Sequence, residues 1–456
     1  MAKILFYLFL ISIPFGTRTI IHQFTPAFDE YRTIFLYASD ILLTLFLLFT
    51  FRENPKIITT AKPPIILFLF FAFLSIFFAY SAGLAVYSLI RLILLVLMAF
   101  SVGRMVSDKK VFEKTLAIIA VLAVIQSLLG FTQFSRQENL GLQILGESPI
   151  GADQIGTSKV ALAGGELVRA YGTFPHPNVL AAFLLLGLLA FYYFWIKRPS
   201  EWKIFSSPKN LLSDLIVGLG IFIIAFGLLL TFSRTAWAIA TFSTIIIALW
   251  SLLKGYLLQG VRLTILVLAI LAILFLNFRD FIVPRLQVSK DESAVSLRLA
   301  YSKLGLNLIK ENPLGVGIGN QVPYSVKSGL YQKFGLTESW AWQPIHNLYL
   351  LMASEVGIPG LFAFAAFLIS LFLKSKSKIQ MSNKVQMTKV QKAITKFESL
   401  DFEIWISGIM LLALLLFGLS DHFLWTIHQG SLMLWLAIGL TLSNILYYNT
   451  QYENRS

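Results

Sequence analysis

The sequence predicts an all-α fold, a polytopic membrane bundle of about twelve transmembrane helices with a large, partly helical loop between the ninth and tenth. Three observations carry that prediction. Hydrophobic residues make up 57% of the 456 and charged residues only 13%, the composition of a chain that buries itself in lipid. Apolar runs of about twenty residues recur, which is the length needed to cross a hydrocarbon core. Lysine and arginine gather in alternate connections between those runs, as they do in cytoplasmic loops.

The apolar segments lie at about 4–21, 33–51, 64–81, 84–103, 115–134, 178–196, 212–232, 235–253, 263–282, 347–373, 404–420 and 430–447. Met1 to Ile13 has one lysine ahead of an apolar run. No small-residue cleavage site is evident and further spans follow, so the reading is an uncleaved first helix. Arg52, Lys56 and Lys62 fall on one side of the expected membrane, with Arg104, Lys109, Lys110 and Lys114. Lys197, Arg198, Lys203, Lys209, Lys254 and Arg262 join them, and the stretch from Lys374 to Lys396 adds seven lysines. By the positive-inside rule this side, with both termini, is cytoplasmic, and 374–403 is a basic cytoplasmic linker. Much of the formal charge of +14 therefore marks topology, which argues against a nucleic-acid surface. The absence of cysteine excludes disulfides and thiolate metal ligands.

The opposite face is the informative one. It carries two long loops, 135–177 and 283–346, two short polar turns, and all five histidines: His22, His176, His346, His422 and His428. In the larger loop Leu297, Tyr301, Leu304 and Leu308 share one helical face, with Lys303, Asn307 and Lys310 on the other. That pattern is an amphipathic helix, lying on the membrane surface or on the bundle. Arg298 sits at the edge of its apolar face, either snorkelling or pointing into a cavity. Gly315, Gly317 and Gly319 in NPLGVGIGN lack the spacing and the preceding strand of a dinucleotide loop and predict a tight turn.

Arg234, in LLLTFSRTAWAIA, lies between two apolar runs that leave almost no loop. A charge there is functional or anchors a hairpin at the interface. In LVRAYGTFPHPNVLAAF the expected helix starts at Pro177 with Asn178 as its N-cap, leaving Arg169 and His176 above its mouth. By itself this is an ordinary loop-to-helix entry. Asp40 and Arg91 each lie about 10 Å inside their helices, at 1.5 Å per residue, and predict a buried pair between helices two and four. His422 beside Asp421, with His428 six residues on, lacks diagnostic metal spacing and reads as a polar lid over the cavity.

GTFPHPN opening a helix, SRTAW in a tight turn, the long loop with its arginine helix and NPLGVGIGN, and HNLYLLMASEVGIPGL together resemble the O-antigen ligase and polymerase superfamily. DHFLWTIHQG is similar to a segment found in many bacterial members, and the resemblance runs from about 165 to 440. It implies a metal-independent glycosyltransferase of the bacterial inner membrane, with no cofactor. Such an enzyme takes a glycan from an undecaprenyl-diphosphate carrier on the extracytoplasmic face. The acceptor is a lipid-linked sugar, as in lipopolysaccharide, or another acceptor for a ligase, and a growing repeat-unit chain for a polymerase. By motif position it places the functional arginines on Arg234 and Arg298 and the essential histidine on His346. Arg169, His176, Asn347, Glu355, Asp421 and His422 are then expected to bind substrate.

The chemistry of these residue types agrees with that expectation. A diphosphate leaving group gains negative charge as the glycosidic bond breaks, and the guanidinium fork suits that charge. The acceptor hydroxyl must lose a proton, and imidazole titrates near neutrality. For His346 the alternative is a residue at a helix start, satisfied by backbone and water. For Glu355 the alternative is a structural hydrogen bond. A twelve-helix transporter also fits the topology, but transporters place coupling charges near the midplane, whereas the polar candidates here gather at one face.

Overall fold

The computed structural model of the chain describes residues 1–53, 63–154, 156–162, 165–197, 208–287, 293–385 and 394–453. It begins with α1 (Ala2–Ser12), β1 (Arg18–Gln23), β2 (Thr33–Tyr37), α2 (Ala38–Glu53), α3 (Pro63–Ser75), α4 (Ala82–Met105) and α5 (Lys109–Arg136). A second short hairpin, β3 (Lys159–Leu162) and β4 (Gly165–Val168), precedes α6 (Pro177–Ile196), α7 (Pro208–Leu230), α8 (Arg234–Leu253) and α9 (Leu257–Leu286). The large loop holds α10 (Ser293–Glu311), α11 (Gln321–Lys327) and α12 (Leu330–Lys333). Then come α13 (Leu348–Val385), α14 (Ile394–Phe417), α15 (Phe423–Thr426) and α16 (His428–Glu453). Lys56, Lys62, Arg198 and Lys203 lie outside the described residues, as does 386–393 of the basic linker.

Each of the expected apolar segments holds a helix. Among the described residues seven of these, α4 to α9 and α13, are long and apolar enough to cross a membrane. Ala2–Ser12, Pro63–Phe78 and Phe402–Phe417 are apolar but shorter. The chain is a multi-pass helical membrane protein. At its centre α6 is buried on every side, with Phe194 alone not fully covered, which is why its sequence is apolar all round. It packs against α5, α7, α8, α9 and α14.

The expected first span, 4–21, is corrected. Its helix ends at Ser12, just before Pro14, which has no N–H to continue the ladder. The β-branched run from Arg18 to Gln23 instead pairs antiparallel with Thr33–Tyr37, Arg18 opposite Tyr37. The second apolar segment is accordingly strand before it is helix, with α2 starting at Ala38.

Asp40 and Arg91 do meet. Arg91 Nη1 donates to Asp40 Oδ2 at 3.1 Å and to the Tyr87 hydroxyl at 3.2 Å. Arg91 also contacts His428 Nδ1, and His428 stacks on Tyr37 at 3.8 Å and reaches Ser39 Oγ at 2.6 Å. The pair thus belongs to a network tying α2, α4 and α16. Removing one partner of such a pair costs about 3–5 kcal/mol. Asp40→Arg and Arg91→Asp should each lower the thermal unfolding midpoint of the detergent-solubilised protein, and the double reversal should regain part of it. A double variant no better than the singles would disprove the pairing.

The large loop has its own small core. Tyr301, Leu304 and Leu308 of α10 are buried with Val316, Val322, Tyr331, Leu336 and Ile345, while Lys303 and Lys310 face outward. The apolar face of α10 therefore rests on the protein rather than on lipid. Gly315, Gly317 and Gly319 have φ of +87°, +98° and +71°, the left-handed region that glycine enters freely. A side chain at Gly315 would strike the backbone of Glu355, and one at Gly317 would strike Ala79.

Candidate active site

One cavity of about 490 Å³ collects residues from seven separated stretches of chain. Arg234 enters from the first turn of α8, Arg298 and Tyr301 from α10, and His346 from the segment leading into α13. Arg169 and His176 come from the strand-to-helix passage before α6, Asp421 and His422 from the turn before α15, and Arg285 from the end of α9. The first hairpin adds Arg18, Glu30 and Tyr31. Its conformation is fixed locally, since Asp29 accepts from the Tyr31 amide at 2.8 Å and Arg18 Nη2 donates to Glu30 Oε2 at 2.7 Å.

His346 is held by three neighbours. Its ring stacks on Tyr301 at 4.6 Å and meets His422 edge-on at 4.7 Å. Nδ1 lies 2.9 Å from the Pro344 carbonyl. A carbonyl only accepts, so Nδ1 carries the proton and the neutral ring keeps the lone pair on Nε2. Burial lowers its pKa from the ordinary value and Arg298 adds to this, against the opposing influence of Asp421 and the Pro344 contact. His346 is thereby kept as neutral imidazole.

His176 holds the opposite tautomer. It caps α6, with Nδ1 accepting from the Asn178 amide at 3.1 Å, which leaves its proton on Nε2. The expected cap at Asn178 is therefore corrected. Pro177 takes the first helical position, where its missing N–H costs nothing, and the cap moves back to His176. Asn178 instead bridges two charges. Its Nδ2 donates to Asp421 Oδ2 at 2.8 Å, and its Oδ1 accepts from Arg169 Nη2 at 3.0 Å.

Arg169 spends its other donors on the Thr231 carbonyl at 2.6 Å and Ser158 Oγ at 2.8 Å. Burial and the nearby charge of Arg285 pull its guanidinium down to about 9, so it stays charged at neutral pH. Burial pushes Asp421 up, but His422, His346 and His176 with the Asn178 bond outweigh it and hold it at about 2. Burial holds His176 and His422 at about 3, helped by Arg169 and His346 respectively. At neutral pH the cavity therefore presents neutral imidazoles around the Asp421 carboxylate, with Glu30 paired to Arg18 and arginines in excess. Such a setting can receive an anion and places neutral imidazole beside it.

Two expected site residues stand elsewhere. Glu355 lines a neighbouring cavity of about 130 Å³ with Arg91, Trp425 and His428. Its carboxylate accepts from the Gly319 amide (2.8 Å), the Gln321 amide (3.1 Å) and Trp425 Nε1 (2.8 Å), which fixes the glycine passage against α13. Asn347 caps α13 through Oδ1, accepting from the Tyr349 and Leu350 amides, and donates to the Leu419 carbonyl. His428 likewise belongs to the Arg91 network rather than to a lid with His422. Among the described residues, no three His, Asp or Glu side chains are arranged to hold a metal ion.

Sequence reading missed Arg18, Glu30, Tyr31 and Arg285. A signal was present for Arg18: an arginine inside a supposed span is costly unless it serves a site. Tyr31 meets His422 edge-on at 6.0 Å and lines both cavities, which nothing in its local sequence announces.

Residues 219–365 match the family model described as O-antigen ligase, so the chain carries a domain of the O-antigen ligase superfamily. That stretch includes Arg234, Arg285, Arg298 and His346. No curated protein matches the chain.

Proposed function

We propose, taking the O-antigen ligase domain as premise, that the chain is a membrane glycosyltransferase. It moves a glycan from an undecaprenyl-diphosphate carrier to a sugar hydroxyl on the extracytoplasmic face of the bacterial inner membrane. In this reading both termini and the basic connections are cytoplasmic, and the cavity faces outward. The observation that carries it is the meeting of Arg234, Arg298 and His346 on one cavity, with His346 Nε2 available as a base.

Nε2 of His346 takes the proton of the acceptor hydroxyl as its oxygen attacks the anomeric carbon. The bond from that carbon to the phosphate oxygen breaks, its electron pair leaving with the diphosphate. Arg234 and Arg298 stabilise the charge that develops there. Direct attack inverts the anomeric configuration, and the proton on His346 passes to solvent or to the departing diphosphate. Arg169 and His176, tied to Asp421 and α6, hold the walls of the site. The match to a family model described as O-antigen ligase supports a ligase, with a glycan acceptor other than the growing repeat-unit chain.

Two measurements test this. Purified protein in sealed vesicles without an ion gradient should transfer glycan from the lipid-linked donor, and dependence on a gradient would refute an enzyme reading. Deletion in the producing cell should leave polymer accumulating on the lipid carrier. Loss of long chains with single units still attached would instead identify a polymerase.

A further inference from the structure

The turn that presents Arg234 is held in an unfavourable backbone conformation. Phe232 has φ of +48°, a region that bulky residues rarely enter. Its side chain is fully buried and packs near Phe134, Trp237 and Phe281. Because α7 ends at Leu230, the carbonyls of Leu230 and of the two residues after it have no partner within the helix. Each finds one from outside. The Leu230 carbonyl accepts from the Ala170 amide at 3.0 Å, the Thr231 carbonyl from Arg169 Nε at 2.6 Å, and the Phe232 carbonyl from Arg285 Nε at 3.1 Å. Ser233 then caps α8 by accepting from the Ala236 amide, and Arg234 is the next residue.

Arg285 reaches the turn from the end of α9. That helix departs from helical geometry at Phe278, and its last turns bring both Phe281 and Arg285 against Phe232. A cation is also suited to the negative end of α7.

We propose that Arg285 is a positioning residue for the carrier diphosphate. By holding the Phe232 carbonyl it fixes the left-handed turn that aims Arg234 into the cavity, and it acts on the diphosphate through Arg234. The inference rests on the reading that Arg234 binds that group.

The test is binding of undecaprenyl diphosphate to the purified full chain in lipid nanodiscs. Arg285→Ala should weaken binding about tenfold or more, the effect of losing a hydrogen bond from a charged donor. Arg285→Gln, which keeps a neutral N–H donor, should fall between the wild type and the alanine variant. In the Arg234→Ala background, adding Arg285→Ala should cost about twofold at most, since the residue through which it acts is gone. Multiplying losses in the double variant would overturn the inference. So would Arg285→Gln as weak as Arg285→Ala beside Arg285→Lys at wild-type strength, which would mean direct contact of a charge with the ligand. If Arg234→Ala alone binds normally, the diphosphate role of Arg234 fails first, and this inference fails with it.

Discussion

His346→Ala should lower kcat for glycan transfer by about 10²–10⁴-fold, the range a positioned general base contributes, while carrier binding changes little. The ring touches Tyr301 and His422, so alanine leaves a gap at the cavity wall rather than in the bundle, and the protein should still purify as a monodisperse species. The pH profile supplies an independent check. Burial depresses the His346 pKa, so the unprotonated, base-competent form persists below the ordinary histidine range. The acid limb of kcat/KM should therefore be centred below about pH 6.5, the ordinary histidine value. An acid limb centred above 7, or normal turnover by the alanine variant, would remove His346 from the base role.

Arg234→Ala and Arg298→Ala should each reduce kcat/KM for the lipid-linked donor by about 10²–10³-fold, the loss seen when one fixed donor to a developing negative charge is removed. Lysine at either position should recover only part of this, because a single ammonium cannot reproduce the two parallel N–H donors of the guanidinium. Here the loss should include weaker binding of the carrier, unlike the loss at His346. That contrast would distinguish the proposed diphosphate-holding role of the arginines from the proposed base role of His346. Full recovery by lysine at both positions would mean that simple charge, rather than the fork, is what the diphosphate requires.

Most of the fold was legible because helices in lipid announce themselves by length and apolarity. What escaped were the places where an apolar run is not a helix. Residues 18–21 and 33–37 are apolar and β-branched enough to be read as the ends of two spans, yet Pro14 and the pairing of Arg18 with Tyr37 make them the strands of a hairpin. The lining of the candidate site was legible where a charge interrupted an apolar run, as at Arg234, or followed an amphipathic pattern, as at Arg298. It was illegible where a polar residue was internally committed. Nothing in the neighbourhood of Glu355 or Asn347 shows that their oxygens are occupied by backbone amides, and only the folded chain reveals that Asn178 links Asp421 to Arg169 rather than capping a helix.

The cavity is walled from stretches that begin near residue 18 and end near 427, and the consequence is one of divisibility. The stretch 219–365 contains Arg234, Arg298 and His346, but the carboxylate at Asp421, its bridge at Asn178, and the ring of Tyr31 all lie outside it. A boundary that recognition can draw along the sequence is therefore not a boundary the folded protein respects. Excised, the recognisable segment would keep Arg234, Arg298 and His346 and lose the walls that surround them.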